Sequence, residues 1–479
     1  MRVRHAPFLL LGLISTSFAR YRYSRVPPRR NRGPCYQGPY LFLLVGLGGL
    51  ITVIAVTFIF RPSYTHLPPH YASLRTKSLQ SNAPGRGNLL NEKVFIAASL
   101  YDQGGDLARG QWGKSVLALI NLLGEDNVFL SIYENNSGVE GEQALSEFGR
   151  HVSCNKTLIF EEHLDLAGIS HIHLPDGSKR LKRVAYLAEV RNRALQHLHK
   201  DIETQYDKLL YLNDVIFDPI DALQLLFSTN QGTDGRPQYR AACAVDFHRP
   251  YKFYDTFAAR DLEGYEMGFR YFPWFTTAGK GQSRQDVLEE KDAVRVRSCW
   301  GGMVAFDARF FQKPIHRTFD PAPSDNHTLA RFRYEPELFW DSSECCLIHA
   351  DIQDMPSIID EGTGTGIYMN PFVRVAYDER THSWLRIARR FERLYSLPQN
   401  IANHVAGLPI YNPRRVEIAG ETVKSRIWVP DAKSRNGGSF QLVDRVATSG
   451  GFCGSRELQV VVQNRAQGQD GWESIPLPD

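Results

Sequence analysis

Asn213-Asp214 is the pair in this chain best placed to hold a metal ion or a phosphate. It ends Lys208-Leu-Leu-Tyr-Leu212, an apolar run without turn residues, which is the pattern of a buried parallel strand. In open α/β sheets ligands bind at the carboxyl ends of strands. An amide and a carboxylate delivered there could hold a divalent cation, and through it a phosphate. The competing reading makes Asp214 and Asp218 a turn residue and a helix cap ahead of Pro219. Arg191 and Asn192, on the preceding helical stretch, suit a phosphate or a base, or else a solvated helix face. Asp341 and Glu344 stand three apart, so a helix would put both carboxylates on one face for general acid or base work; a helix N-cap uses the same residues. His349 follows an apolar run read as a strand, where a neutral imidazole could ligate a metal or simply lie in the core. Trp300-Gly301-Gly302 would let a sugar or nucleotide approach the backbone, or form a turn.

The elements that must position these groups alternate strand and helix. Lys93–Leu100 reads as a strand, followed by a helix with Trp112, Val116, Leu119, Ile120 and Leu123 on one stripe. Strands over Asn127–Tyr133 and Leu158–Phe160 flank a helix over Glu142–Phe148, and a helix over Leu181–His199 leads into Lys208–Leu212. After a helix through Phe227, Ala241–Val245 is a strand ending on Asp246. Phe253–Asp261, with Asp255, Arg260 and Asp261, mixes charges among aromatics too regularly for a plain loop, and Val294–Phe306 ends in a strand. The series predicts an α/β fold, a mostly parallel sheet with helices on both faces. Pieces such as Arg426–Val429 and Leu458–Val462 predict a small β-rich tail over 401–479.

Tyr40–Phe60 is an unbroken apolar run, enough to cross a bilayer as a helix. Arg20, Arg22, Arg25, Arg29, Arg30 and Arg32 precede it, which by the positive-inside rule puts a basic tail (1–39) in the cytosol and the main domain in the lumen. Phe8–Phe18 resembles a signal-peptide core, but cleavage after it would strand the arginines on the wrong side. Residues 61–91, rich in Pro, Gly and Ser, read as a stem, with the main domain over 92–400. The formal net charge of +4 is unevenly placed: no acid precedes Glu92, and the remainder holds 44 basic against 52 acidic residues, which argues against nucleic acid as partner. Six of the seven cysteines follow the span, compatible with disulfides in an oxidising lumen, and adjacent Cys345 and Cys346 must point apart. Sequons occur at Asn135, Asn155 and Asn326.

Six motifs, in order from about Val94 to the C-terminus, resemble the fungal capsule-associated α-1,3-mannosyltransferase family. They are Ala188-Glu-Val-Arg-Asn-Arg-Ala-Leu195, Tyr211-Leu-Asn-Asp-Val-Ile-Phe217, Phe253-Tyr-Asp-Thr-Phe-Ala-Ala-Arg-Asp261, Arg297-Ser-Cys-Trp-Gly-Gly302, Trp340-Asp-Ser-Ser-Glu-Cys-Cys346 and Gly471-Trp-Glu-Ser-Ile-Pro-Leu-Pro478. The resemblance implies a GT-A-like fold and a single-pass type II Golgi membrane enzyme that uses Mn²⁺ or Mg²⁺ to transfer mannose from GDP-mannose to a mannoside or glycan acceptor. It puts Asn213-Asp214 in place of an Asp-x-Asp metal motif, with the first acid missing, so that His349 is expected to join Asp214 on the metal. Ser99, Arg191, Asn192, Asn213, Trp300, Gly301 and Gly302 are implied on the donor, Asp246, Asp255, Arg260 and Asp261 on donor or acceptor, and Asp341 or Glu344 beside the transferring carbon. Two rival functions share these residues, a metal-dependent lumenal hydrolase and a carbohydrate-binding protein with a decayed site.

Overall fold

A computed structural model describes residues 37–201, 203–313, 329–356, 364–431, 433–434, 437–462 and 471–478. The basic tail before 37, the Phe8–Phe18 segment, Cys35 and the Asn326 sequon lie outside the described residues.

Helix α1 (Gln37–Phe60) is apolar all round, and its Phe42–Phe60 stretch, in which no residue is fully buried, is the one described helix long and apolar enough to cross a membrane. The expected stem beyond it is not a free tether. Tyr64 and Tyr71 are fully buried, and α2 (Pro69–Gln80) packs on the domain. The Ser63 N–H donates to the Arg389 carbonyl, and Asn370 donates to the Tyr71 hydroxyl. The Tyr71 hydroxyl is thereby satisfied, whereas the Tyr64 ring is held by edge-on packing against Phe372.

The first half of the domain follows the expected alternation: β1 (Val94–Leu100), α3 (Asp106–Arg109), α4 (Gln111–Leu123), β2 (Val128–Asn135), α5 (Gly138–His151) and β3 (Asn155–Glu161). A small hairpin of β4 (Ile172–His173) and β5 (Lys179–Arg180) precedes α6 (Arg183–Ala194) and α7 (Gln196–Lys200), which divide the expected single helix at Leu195. Next come β6 (Lys208–Leu212), α8 (Pro219–Ser228, capped by the Asp218 carboxylate), β7 (Ala241–Arg249), β8 (Lys252–Phe253), β9 (Arg260–Asp261), α9 (Gln282–Leu288), β10 (Val294–Ser298) and β11 (Met303–Asp307).

Beyond 329 lie β12 (Asp341–Ser342), α10 (Glu344–Asp354), β13 (Ile367–Ala376), α11 (Glu379–Ala388) and α12 (Ser396–Val405), the last running across the expected boundary at 400. The chain closes with β14 (Thr422–Pro430), β15 (Gly438–Val446), β16 (Gly454–Ser455), β17 (Gln459–Val461) and β18 (Trp472–Ser474), the expected β-rich tail.

The central sheet has the order β3-β2-β1-β6-β11-β7-β13-β10-β9, with β8 on β7. Strands β3, β2, β1 and β6 are mutually parallel, β7 and β13 run the same way, and β11 between β6 and β7 runs against both. Phe95 and Ala97 face the core under α6 and α10, while Val94, Ile96 and Ala98 face that under α4, α5 and α8. Alternate residues of one strand thus feed two apolar layers, which is why the strands read as unbroken apolar runs.

Strand β13 is central yet absent from the sequence reading. Pro371 lacks the N–H a ladder needs, and the pairing with β7 shifts register between Met369 and Arg374 to accommodate it. The apolar run before His349, expected as a strand, is the first turn of α10, and Asp341 lies in β12 outside that helix. Disulfides join Cys243 to Cys299 and Cys346 to Cys453. Cys154 and Cys345 are buried thiols, so the adjacent cysteines do diverge.

Candidate active site

The carboxyl ends of β1 and β6 bring the first group together. Asn213 leaves β6 with its N–H on the Gly302 carbonyl and its own carbonyl accepting from the Trp112 indole at 2.9 Å. Its side-chain Oδ1 accepts from Arg191 Nη1 at 3.3 Å and from Trp300 Nε1 at 3.2 Å. The Arg191 guanidinium lies 4.5 Å from the Trp300 ring centre, within 6 Å of Tyr211 and Phe332, and pairs through Nε with Glu344 at 3.0 Å. A planar cation boxed by three rings and two oxygens is fixed before any ligand arrives. The Tyr211 hydroxyl donates to half-buried Ser99 at the end of β1.

Asp214 is different. Its side chain is exposed, and among the described residues no side chain donates to it; Arg191 contributes only its charge from a distance. The carboxylate is nevertheless surrounded by enough protein for partial desolvation to raise its pKa above the ordinary value. An unpartnered oxygen donor at the sheet edge fits a hard divalent cation, which takes one or two carboxylates and completes its shell with substrate phosphates and water. Asn213 supplies no second ligand, because its amide oxygen already takes two donors.

A second set of acids stands beside it. Asp246, fully buried within β7, accepts from the Tyr377 hydroxyl at 2.8 Å and from the Asp255 N–H at 3.1 Å. Burial, and after it the Asp255 charge, pushes its pKa up to about 7. Half-buried Asp255 accepts from the Ala258 and Gly301 N–H groups, and burial raises it too. Asp214, Asp246 and Asp255 all act electrostatically on the hydroxyls of Tyr254 and Tyr377, which places the three carboxylates around one recess.

A family model described as cryptococcal mannosyltransferase 1 matches residues 93–351, more than half of the chain. The chain belongs to this family. It is a glycosyltransferase, and Asn213-Asp214, Arg191 and the acid group lie within the matched span. No curated protein matches the chain. Among solved structures, the mannosyltransferase PcManGT from Pyrobaculum calidifontis in complex with GDP-Man and Mn²⁺ is 13% identical, covers 77% of each chain and has a TM-score of 0.33. Glucosyl-3-phosphoglycerate synthase from Mycobacterium tuberculosis, in complex with Mn²⁺, UDP-Glc and glycerol 3-phosphate, is 12% identical over 80% of this chain and 96% of its own, with a TM-score of 0.31. Mannosyl-3-phosphoglycerate synthase from Rubrobacter xylanophilus is 11% identical over 82% and 96%, at a TM-score of 0.29.

Several expected site residues of this glycosyltransferase are structural instead. His349 is fully buried, with Nδ1 on the Cys345 carbonyl, Nε2 facing the Cys243 sulfur at 3.8 Å and its pKa lowered by burial to about 4. Neither ring nitrogen is free to join Asp214, and the His349, Cys243 and Cys299 cluster is closed by the disulfide. Asp341 is the counter-ion of Lys182 at 2.7 Å, both side chains almost wholly buried. The Lys182 ammonium spends its three protons on the carbonyls of Glu335, Glu337 and Trp340. Asn192 clamps the backbone of Phe332 with both ends of its amide. Arg260 is buried on the Phe452, Cys453, Phe257 and Ala259 carbonyls, and Asp261 caps the turn at Glu263 and Tyr265. Gly301 and Gly302 hold φ of +59 and +69; a Cβ on Gly301 would sit 1.9 Å from the Ala244 carbonyl, so the close approach there is made by β7 and not by a ligand.

Sequence reasoning missed Trp112, Phe332, Tyr254 and Tyr377. Trp112 was legible only as part of a core stripe, and its indole N–H is the sole polar hint. Tyr254 stands beside Asp255 in the Phe253–Asp261 stretch, which was its signal, whereas Phe332 and Tyr377 reach the site from segments far away in the chain that no local pattern reveals.

Proposed function

We propose that this glycosyltransferase transfers mannose from GDP-mannose to a mannoside, forming an α-1,3 linkage, in the Golgi lumen. In this reading α1 is the single-pass, type II anchor. The observation that carries the proposal is Asp214, an exposed carboxylate with no side-chain donor among the described residues, two residues past the end of β6 and in the field of a locked Arg191.

Asp214 would hold Mn²⁺ or Mg²⁺ together with the donor diphosphate; such a cation, when bound, offsets the charge that builds on the departing phosphate. Arg191 adds fixed positive charge at the same edge, and its box of Trp300, Tyr211 and Phe332 leaves it no rotamer to lose on binding. During transfer the bond from mannose C1 to the phosphate oxygen breaks, a bond from C1 to the acceptor oxygen forms, and the acceptor hydroxyl gives up its proton. Glu344 is committed to Arg191 and Asp246 is closed off behind Tyr377, so Asp255 is the carboxylate assigned to that proton. Ser99 lines the donor side.

Full-length protein in detergent, given GDP-mannose, Mn²⁺ and an α-mannoside, should yield a mannosylated product, and chelation should stop the reaction. Free mannose without transfer would mean a hydrolase. Glycan binding with no donor consumed would mean a carbohydrate-binding protein.

A further inference from the structure

Helix α12 is built inside out for a protein in water. Its polar residues Gln399 and Asn403 are buried: Gln399 donates to the Phe269 and Trp274 carbonyls, and Asn403 accepts from the Phe269 N–H. Its apolar residues Leu397, Ile401 and Val405, spaced four apart and therefore on one face, are 68%, 55% and 82% exposed. Neighbouring α11 exposes Trp384 and Ile387, with the exposed Arg386 between them. An apolar face turned outward on two adjacent helices needs an apolar counterpart.

The position of this face says what the counterpart is. The segment joining α11 to α12 is where α1 meets the domain. Phe58 of α1 packs on Phe391 with ring centres 5.2 Å apart, and the Arg390 guanidinium lies 4.9 Å from the Phe58 ring and donates to its carbonyl. Three residues beyond α1, Ser63 is hydrogen-bonded to Arg389. Both exposed helices are thus joined by the segment that seats the end of the helix read as the membrane span.

We infer that α11 and α12 form a membrane-docking face that lies in the interfacial layer of the bilayer α1 crosses. The catalytic domain is then held flat on the membrane, with Leu397, Ile401 and Val405 at the acyl boundary and Arg386 at the headgroups. This rests on the reading of α1 as a membrane anchor.

The test uses full-length protein with Cys35→Ser, reconstituted in phospholipid vesicles; Cys154 and Cys345 are buried and stay unlabelled. An environment-sensitive fluorophore is attached in turn at Ile401→Cys, Leu397→Cys, Val53→Cys within α1, and Lys156→Cys on the far edge of the sheet. Expected results are blue-shifted emission and quenching by brominated lipid at 401, 397 and 53, with position 156 quenched by aqueous iodide alone. Lipid quenching at 53 with iodide quenching at 401 and 397 would overturn the docking face while leaving the anchor intact. Absence of lipid quenching at 53 would remove the anchor itself. Protection of 401 from both quenchers would mean that a protein surface, such as a second copy of the chain, covers the stripe, and would also overturn the inference.

Discussion

Replacing Asp341 by Asn separates a structural carboxylate from a catalytic one. Lys182 and Asp341 form a pair in which neither side chain is more than 2% exposed, and the ammonium already uses its three protons on backbone carbonyls. Removing the carboxylate charge leaves a buried cation with dipoles but no counter-ion. Breaking a buried pair from one side costs about 3–5 kcal/mol. A chain of this size loses roughly 2 °C of Tm per kcal/mol, so Asp341→Asn should melt about 6–10 °C lower than the parent. Well below that temperature, transfer per folded molecule should stay within about tenfold of the parent, because the pair touches no group around Asp214. The assay is thermal unfolding of full-length protein alongside mannosyl transfer at low temperature. An unchanged Tm with abolished transfer would refute the reasoning, since only a carboxylate in contact with substrate behaves that way.

Asp214→Asn should do the reverse: transfer falls by about two orders of magnitude or more, while Tm holds or rises slightly, because a carboxylate with a raised pKa is costly to ionise in the fold. Arg191→Lys loses the planar stack on Trp300 and cannot serve Asn213 and Glu344 together; unfolding by denaturant should show about 2 kcal/mol less stability, and the KM for the donor should rise. Asp246 keeps its proton in the fold up to about pH 7, whereas the unfolded chain releases it near the ordinary value of 3.8. Stability from this group therefore falls as pH climbs from about 4 to about 7, and denaturant midpoints across that range should flatten in Asp246→Asn; an unaltered slope would show that other groups carry it. Cys346→Ser opens a loop spanning 107 residues and should lower stability by about 2–5 kcal/mol, read as a reduced unfolding midpoint with β16 and its neighbours released first.

Much was fixed by local chemistry. The apolar runs of β1, β2 and β6 could only be buried strands, the stripe on α4 only a helix face, and the end of β6 only a sheet edge carrying Asn213-Asp214. Asp214 and Arg191 were legible because strand ends and helix faces are short-range properties. Asp341, His349, Asn192 and Arg260 carried the same residue chemistry in sequence, yet the fold uses them to satisfy buried groups, since every polar atom taken from water needs a partner and those partners lie far off in the chain. The acid recess formed by Asp246, Asp255 and Tyr377 likewise exists only after β7 and β13 pair. Tertiary structure also decided that Pro62–Asn91 packs instead of hanging free, and which way α12 faces. At the opening pair, the sequence alone supplied the carboxylate at the strand end. Only the fold left Asp214 without a side-chain donor among the described residues while tying Asn213 to Arg191 and Trp300, because hydrogen-bond capacity is shared out by neighbours in space and not by neighbours in sequence.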